Sequence, residues 1–128
     1  MVAWADYKAE AKSRGALALE LYAAISTPAK EPQDVKDSLS GHLAYQAELE
    51  RAGSLAFAGP MSDETGDHMQ GTGLIIYRAD SLEDARVLAQ NDPMHQSGAR
   101  TFTMRRWMIN EGSLNVSVGL STKNVTLG

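Results

Sequence analysis

Residues 73–93 read GLIIYRADSLEDARVLAQNDP, and the order of elements in this stretch decides the fold. Gly73 to Arg78 is an apolar, β-branched run that reads as a strand. Ser81-Leu82-Glu83-Asp84 follows as a capping box with Asp84 in place of the usual Glu or Gln, so a helix opens there. Asp92-Pro93 closes it, because the residue before a proline is pushed out of the helical region. A strand feeding a capped helix needs strands on either side to cover it, and the neighbouring sequence supplies them.

On the N-terminal side, Ser54 to Gly59 reads as a short strand, separated from Gly73 by the polar, glycine-bearing segment Pro60 to Gly73. Before it, Val35 to Ala52 reads as a helix of about five turns, stopped by Gly53 and opened by Asp34 as a cap. The two prolines of Thr27 to Asp34 mark a loop. Ala16 to Ser26 alternates Leu17, Leu19, Leu21, Ala23 and Ile25 against Ala16, Ala18, Glu20, Tyr22 and Ala24, which predicts a strand. Val2 to Arg14 reads as a helix ended by Gly15. On the C-terminal side, Thr101 to Ile109 is rich in β-formers, and Ser113 to Leu120 is one more candidate strand, with Leu114, Val116 and Val118 in phase.

The order is therefore a helix, then β-α-β-β-α-β, then a strand: an α+β chain with the ferredoxin-like, split βαβ arrangement. The expected division is an N-terminal extension (1–15), a ferredoxin-like core (16–109) and a C-terminal strand and tail (110–128), all in a single domain. Its strands are apolar on both faces. Leu55 and Phe57 oppose Ala56 and Ala58, and Leu74 and Ile76 oppose Ile75 and Tyr77. A sheet apolar on both sides needs cover on both sides. The simplest cover is a second copy, which predicts a homodimer, or a higher oligomer built on it, packed sheet on sheet.

Composition narrows the function. The 128 residues hold 43% hydrophobic and 22% charged side chains, near the averages for globular domains, so a disordered or fibrous chain is excluded. Twelve Lys and Arg against sixteen Asp and Glu leave a net charge of -4 with no basic block, which argues against nucleic acid or an anionic membrane as partner. There is no cysteine, so thiol nucleophiles, disulfides and Cys-ligated metals are absent. No apolar run approaches the roughly 20 residues of a membrane span, and the charged N-terminal residues do not resemble an export signal, so a cytoplasmic protein is expected.

Chemistry must then come from His, carboxylates, hydroxyls, Lys, Arg or Tyr. On a 3.6-residue wheel Val35, Leu39, His42, Gln46 and Leu49 form one stripe, the one that should face the sheet. His42 and Gln46 therefore sit in the face expected to be driest. Unpartnered burial would cost each about 1–3 kcal/mol, so each needs a partner or the stripe borders a cavity. The plain account of His42 is a core histidine satisfied by a carbonyl or hydroxyl; the functional one is an acid/base group. Asp92 stands at the negative end of a helix and needs compensation. It either caps a short helix begun by Pro93, or orients an imidazole, and one carboxylate can do both. His95, three residues on, is expected at a rim. One of Arg105 and Arg106, adjacent on a strand and so on opposite faces, is a candidate for fixing an anionic substrate, while Glu20 and Tyr22 share a face that can line the same cavity. His68, beside Asp67 and Glu64, lacks metal-site spacing and is read as part of a solvated loop. No dinucleotide, metal or serine-nucleophile motif occurs, so no cofactor and no metal is expected.

The pattern His42-Leu43, Leu49…Ala52-Gly53-Ser54-Leu55, Ala58-Gly59-Pro60, Gly73-Leu74-Ile75-Ile76, Ser81-Leu82-Glu83-Asp84-Ala85 and Asp92-Pro93-Met94-His95…Gly98 resembles the YciI-like (YCII-related) family, over about Leu19 to Trp107. The resemblance implies a dimeric α+β barrel and an active-site His and Asp, which fall on His42 and Asp92. Related chains include a dehydrochlorinase of chloroaromatic degradation and muconolactone isomerase-like proteins. The N-terminal helix, the loop from Thr27 to Asp34 and the strand after Trp107 depart from the shortest members. The expected function is a small-molecule enzyme, an isomerase or a dehydrochlorinase-like lyase acting on a small cyclic or aromatic acid. His42 and Asp92 would be catalytic, with Gln46, His95, Arg105 and Arg106 as substrate-binding candidates. The alternative is a non-catalytic dimer that binds a small ligand or serves as an accessory protein.

Overall fold

A computed structural model describes residues 1–128. In chain order the elements are α1 (Trp4–Ser13), β1 (Leu19–Pro28), α2 (Pro32–Ala52), β2 (Leu55–Pro60), β3 (Gly73–Tyr77), α3 (Leu82–Gln90), α4 (Pro93–Gln96), β4 (Arg100–Ile109), β5 (Val116–Val118) and β6 (Val125–Leu127). The fold is α+β, with four helices. Residues Glu20–Trp107 form one unit, and Met1–Leu19 with Met108–Gly128 form another.

The larger unit is built on a four-stranded sheet in the order β2-β3-β1-β4. β1 runs antiparallel to β3, with Tyr22 opposite Tyr77 and Ala24 opposite Ile75. β3 runs antiparallel to β2, with Ala58 opposite Ile75. Tyr22, Ala24, Ile75 and Tyr77 share one face by alternation, and that face meets Leu49 of α2 and Ala85 and Ala89 of α3 in the core. A bulge between Leu55 and Phe57 corrects the strict alternation expected for β2. Leu55 packs on the core, whereas Phe57 lies on the opposite face and is half exposed.

Helix ends follow local chemistry with one correction. Ser81 caps α3 by accepting a hydrogen bond from Asp84 N at 3.0 Å. Gly53, at φ +81°, takes the left-handed conformation that ends α2. Asp34 is not the cap of α2, which begins earlier, at Pro32, with Glu31 at the cap position. Proline is tolerated in a first turn, where its missing N–H has no partner to lose.

The smaller unit contains α1, ended by Gly15 at φ +87°, and a two-stranded sheet of β5 and β6, with Val116 opposite Leu127. One C-terminal strand was expected and two are present. The second was hidden because Val125–Leu127 is only three residues long and carries no flanking Gly or Pro signal on its N-terminal side. No helix is long and apolar enough to cross a membrane.

Candidate active site

The apolar stripe of α2 is dry only toward its C-terminal end. Leu49 is buried there, and the Tyr45 hydroxyl donates to the Leu88 carbonyl at 2.7 Å. Toward its N-terminal end the stripe borders a cavity of about 480 Å³, lined by Val35, Leu39, His42 and Gln46 from α2, Ala58 to Pro60 from β2, and Ile75 from β3. Leu39 and Leu43 are half exposed along it. This accounts for two polar residues on the face expected to be driest.

His42 has a partner as well as a cavity. Its Nδ1 lies 2.7 Å from Asp92 Oδ2. A carboxylate only accepts, so Nδ1 carries the proton and donates it, and Nε2 is the nitrogen left for a ligand. The other carboxylate oxygen of Asp92 accepts from Met94 N at 3.0 Å, capping α4. Asp92 is fully buried and therefore held in one orientation, while the His42 side chain keeps 16% exposure. Gly41 allows this approach of α2 to α4. A Cβ there would stand 3.3 Å from Pro93 Cβ and 3.4 Å from its Cγ.

A second polar group stands where β1, α4 and β4 meet. His95 Nδ1 donates to the Ala89 carbonyl at 2.7 Å, and its Nε2 lies 2.8 Å from Ser26 Oγ. Because the carbonyl demands the proton on Nδ1, neutral His95 accepts the Ser26 hydroxyl proton at Nε2. Burial holds the His95 pKa below the ordinary histidine value, against the opposing influence of the Ala89 carbonyl and of Asp92. Arg100 Nε donates to Ser26 Oγ at 2.9 Å and its Nη2 to Ser26 O at 2.7 Å. Nη2 also donates to the Gly71 carbonyl. Ser26, His95, Gly71 and Arg100 all border the cavity.

Two phenols lie near Asp92. Burial pushes both Tyr45 and Tyr77 above the ordinary tyrosine value, and the charge of Asp92 pushes in the same direction. Both therefore stay protonated at neutral pH.

The remaining candidates fall elsewhere. Arg106 pairs with Glu20 at 3.2 Å, and Arg105 is exposed on β4; neither borders the cavity. The cavity's arginine is Arg100 instead. Tyr22 is in the core, and Glu20 faces Arg106 rather than the cavity. His68 is 79% exposed and lies 3.5 Å from Asp63. Asp63 in turn accepts from Thr65 and Gly66 in a tight turn, and no set of three metal-ligating side chains converges anywhere. His95 borders the cavity, but both its ring nitrogens are occupied. Ser26 and Arg100 were missed because the strand reading stopped at the first and began after the second. Each is in phase with an apolar face, Ser26 with Tyr22 and Ala24, and Arg100 with Phe102 and Met104. A polar side chain in that register is the signal that finds them.

The model of the YCII-related domain matches residues 20–108, nearly the span of the larger unit. The chain belongs to the YCII-related family. The uncharacterized protein YjpA of Bacillus subtilis (strain 168) is 31% identical over 74 residues, 58% of this chain and 80% of that one. Among solved structures, 5-chloro-2-hydroxyhydroquinone dehydrochlorinase (TftG) from Burkholderia phenoliruptrix AC1100, in complex with 2,5-dihydroxybenzoquinone, overlays with a TM-score of 0.49 at 20% identity, covering 68% of this chain and 92% of that chain.

Proposed function

We propose that this YCII-related protein is a small-molecule enzyme in which His42 transfers a proton and Asp92 holds its tautomer. The observation that carries the reading is the 2.7 Å bond from His42 Nδ1 to a fully buried carboxylate at a cavity wall. Asp92 stabilises the imidazolium that forms when Nε2 takes a proton, as an orienting carboxylate does in other histidine bases. Gln46, one turn further along α2, offers an amide donor and acceptor to hold a polar substrate group. Proton transfer of this kind contributes about 10²–10⁴-fold. That suits isomerisation or elimination at an activated carbon of a small cyclic or aromatic acid. In elimination the proton goes to Nε2, the C–H electron pair becomes the new double bond, and the leaving group departs with its own pair; no cofactor enters.

The proposed assembly is a ferredoxin-like unit paired through its sheet into a dimeric α+β barrel. Its support is the half-exposed Phe57 and Trp107 of β2 and β4, large apolar side chains that a partner sheet would cover. Sedimentation at two protein concentrations reports this directly, and a monomer at both removes the assembly.

His42→Ala and Asp92→Asn, assayed against a panel of lactones and halogenated phenols, test the chemistry. Both variants are expected to lose turnover, and unchanged rates in both would sink the assignment. A second reading, a non-catalytic ligand-binding dimer, draws on the largely apolar lining of Val35, Leu39, Leu43, Ile75 and Met94. An NMR titration separates the two: a His42 ring that stays neutral and shielded across the working pH range favours binding alone.

A further inference from the structure

Arg100, at the cavity, is hydrogen-bonded to no anion. Of the five N–H bonds of a guanidinium, Arg100 gives one to Ser26 Oγ, one to Ser26 O and one to Gly71 O. All three acceptors are neutral. The two N–H bonds of Nη1 make no hydrogen bond to the protein. The carboxylate whose charge reaches Arg100 is Asp92, and both its oxygens are committed, to His42 and to Met94 N. Burial holds Arg100 below the ordinary arginine value, and the charge of Asp92 offsets that desolvation cost only in part. Lys36 is the other cation on the lining. Neutral His95 adds no charge, and no carboxylate is among the lining residues.

We propose that Arg100 is the specificity-determining residue of the cavity and that its Nη1 edge binds an anionic oxygen, of the carboxylate class, on a compact apolar body. The clamp on Ser26 and Gly71 fixes the guanidinium plane, so little side-chain freedom is lost when the anion docks. Val35, Leu39, Leu43 and Ile75 receive the apolar body, and His42 faces it from α2. This rests on reading the cavity as the substrate site, but it concerns recognition rather than proton transfer.

The test uses benzoate and its neutral isostere benzamide as probes, with binding followed by calorimetry and by NMR. The unaltered protein is expected to bind benzoate about tenfold or more tightly than benzamide, since a hydrogen bond to a charged group outweighs a neutral one. Arg100→Gln, checked for folding by its thermal melt, brings that ratio close to one, and Arg100→Lys retains part of it. In the unaltered protein benzoate, and not benzamide, shifts the Arg100 15Nε resonance, a readout that stands even if Arg100→Gln fails to fold. A ratio near one in the unaltered protein, no binding of benzoate at millimolar concentration, a ratio that survives Arg100→Gln, or an unmoved 15Nε resonance each overturns the proposal. His42→Ala separates this outcome from the preceding section. It should leave the benzoate preference intact, so loss of the proton-transfer reading appears in turnover alone, and loss of the anchor appears in the binding ratio alone.

Discussion

Two histidines border one cavity and are wired in opposite senses. On the helix wall, His42 gives its Nδ1 proton to a buried carboxylate and keeps Nε2 for the cavity. On the wall where β1, α4 and β4 meet, His95 gives its Nδ1 proton to a backbone carbonyl, and its Nε2 is taken by Ser26. A carboxylate stabilises the cationic ring, whereas a carbonyl partner in a desolvated setting does so far less. One imidazole thus keeps a ring nitrogen unbonded, and the other has both committed and props Ser26 and Arg100. Residue type alone does not distinguish them; the partner of Nδ1 does.

The largest break in this comparison should come from Asp92→Ala. It removes the cap of α4, about 1–2 kcal/mol, and strands the His42 N–H, another ~1–3 kcal/mol. Urea unfolding should show a clear loss of stability with an unchanged slope. A loss below ~1 kcal/mol would show that the helix wall is not held by this carboxylate.

The other wall is sharpened by pH. Folded His95 has a lowered pKa, so below the ordinary histidine value near 6.5 the unfolded chain takes a proton that the folded one refuses. Stability should therefore fall as pH drops through that range, until the folded-state pKa is itself passed. His95→Asn should flatten this slope in thermal melts, and an identical slope in both proteins would move the acid sensitivity elsewhere.

Gly41→Ala separates geometry from stability on the helix wall. Alanine gains about 1 kcal/mol of helix propensity, while its Cβ presses Pro93 at 3.3 Å. Net stability should change by less than ~1 kcal/mol, yet turnover should fall several-fold, because a small displacement of the His42 and Asp92 pair degrades alignment. Full activity would mean that α4 shifts without cost.

The smallest effect belongs to the arginine outside both walls. Arg106 and Glu20 form a partly exposed pair at 3.2 Å, so Arg106→Ala should cost about 0–1 kcal/mol and leave turnover unchanged. A large loss of activity would return Arg106 to the site.

Much of the helix wall was legible. The 3.6-residue period put His42 and Gln46 into an apolar stripe, and Asp92-Pro93 announced a cap that is present. Family resemblance, rather than periodicity, joined the two residues. The opposite wall was misread at its ends. Pro28 ends β1 two residues beyond Ser26, and β4 begins at Arg100, one residue before the run of β-formers suggested. The arginines at 105 and 106 stand out as an adjacent pair, whereas the cavity's arginine is a single one in register with Phe102 and Met104.

Helix and strand identity, caps and the two-faced apolar strands follow from residues within a few positions of one another, because backbone geometry fixes which side chains share a face. The functional groupings do not. His42 meets Asp92 across 50 residues, and Arg100 meets Ser26 across 74. The first contact depends on a glycine that lets two helices approach, and the second on the strand order that sets β4 beside β1. Which histidine is free and which arginine is the cavity's cation are long-range packing outcomes, and no local pattern encodes them.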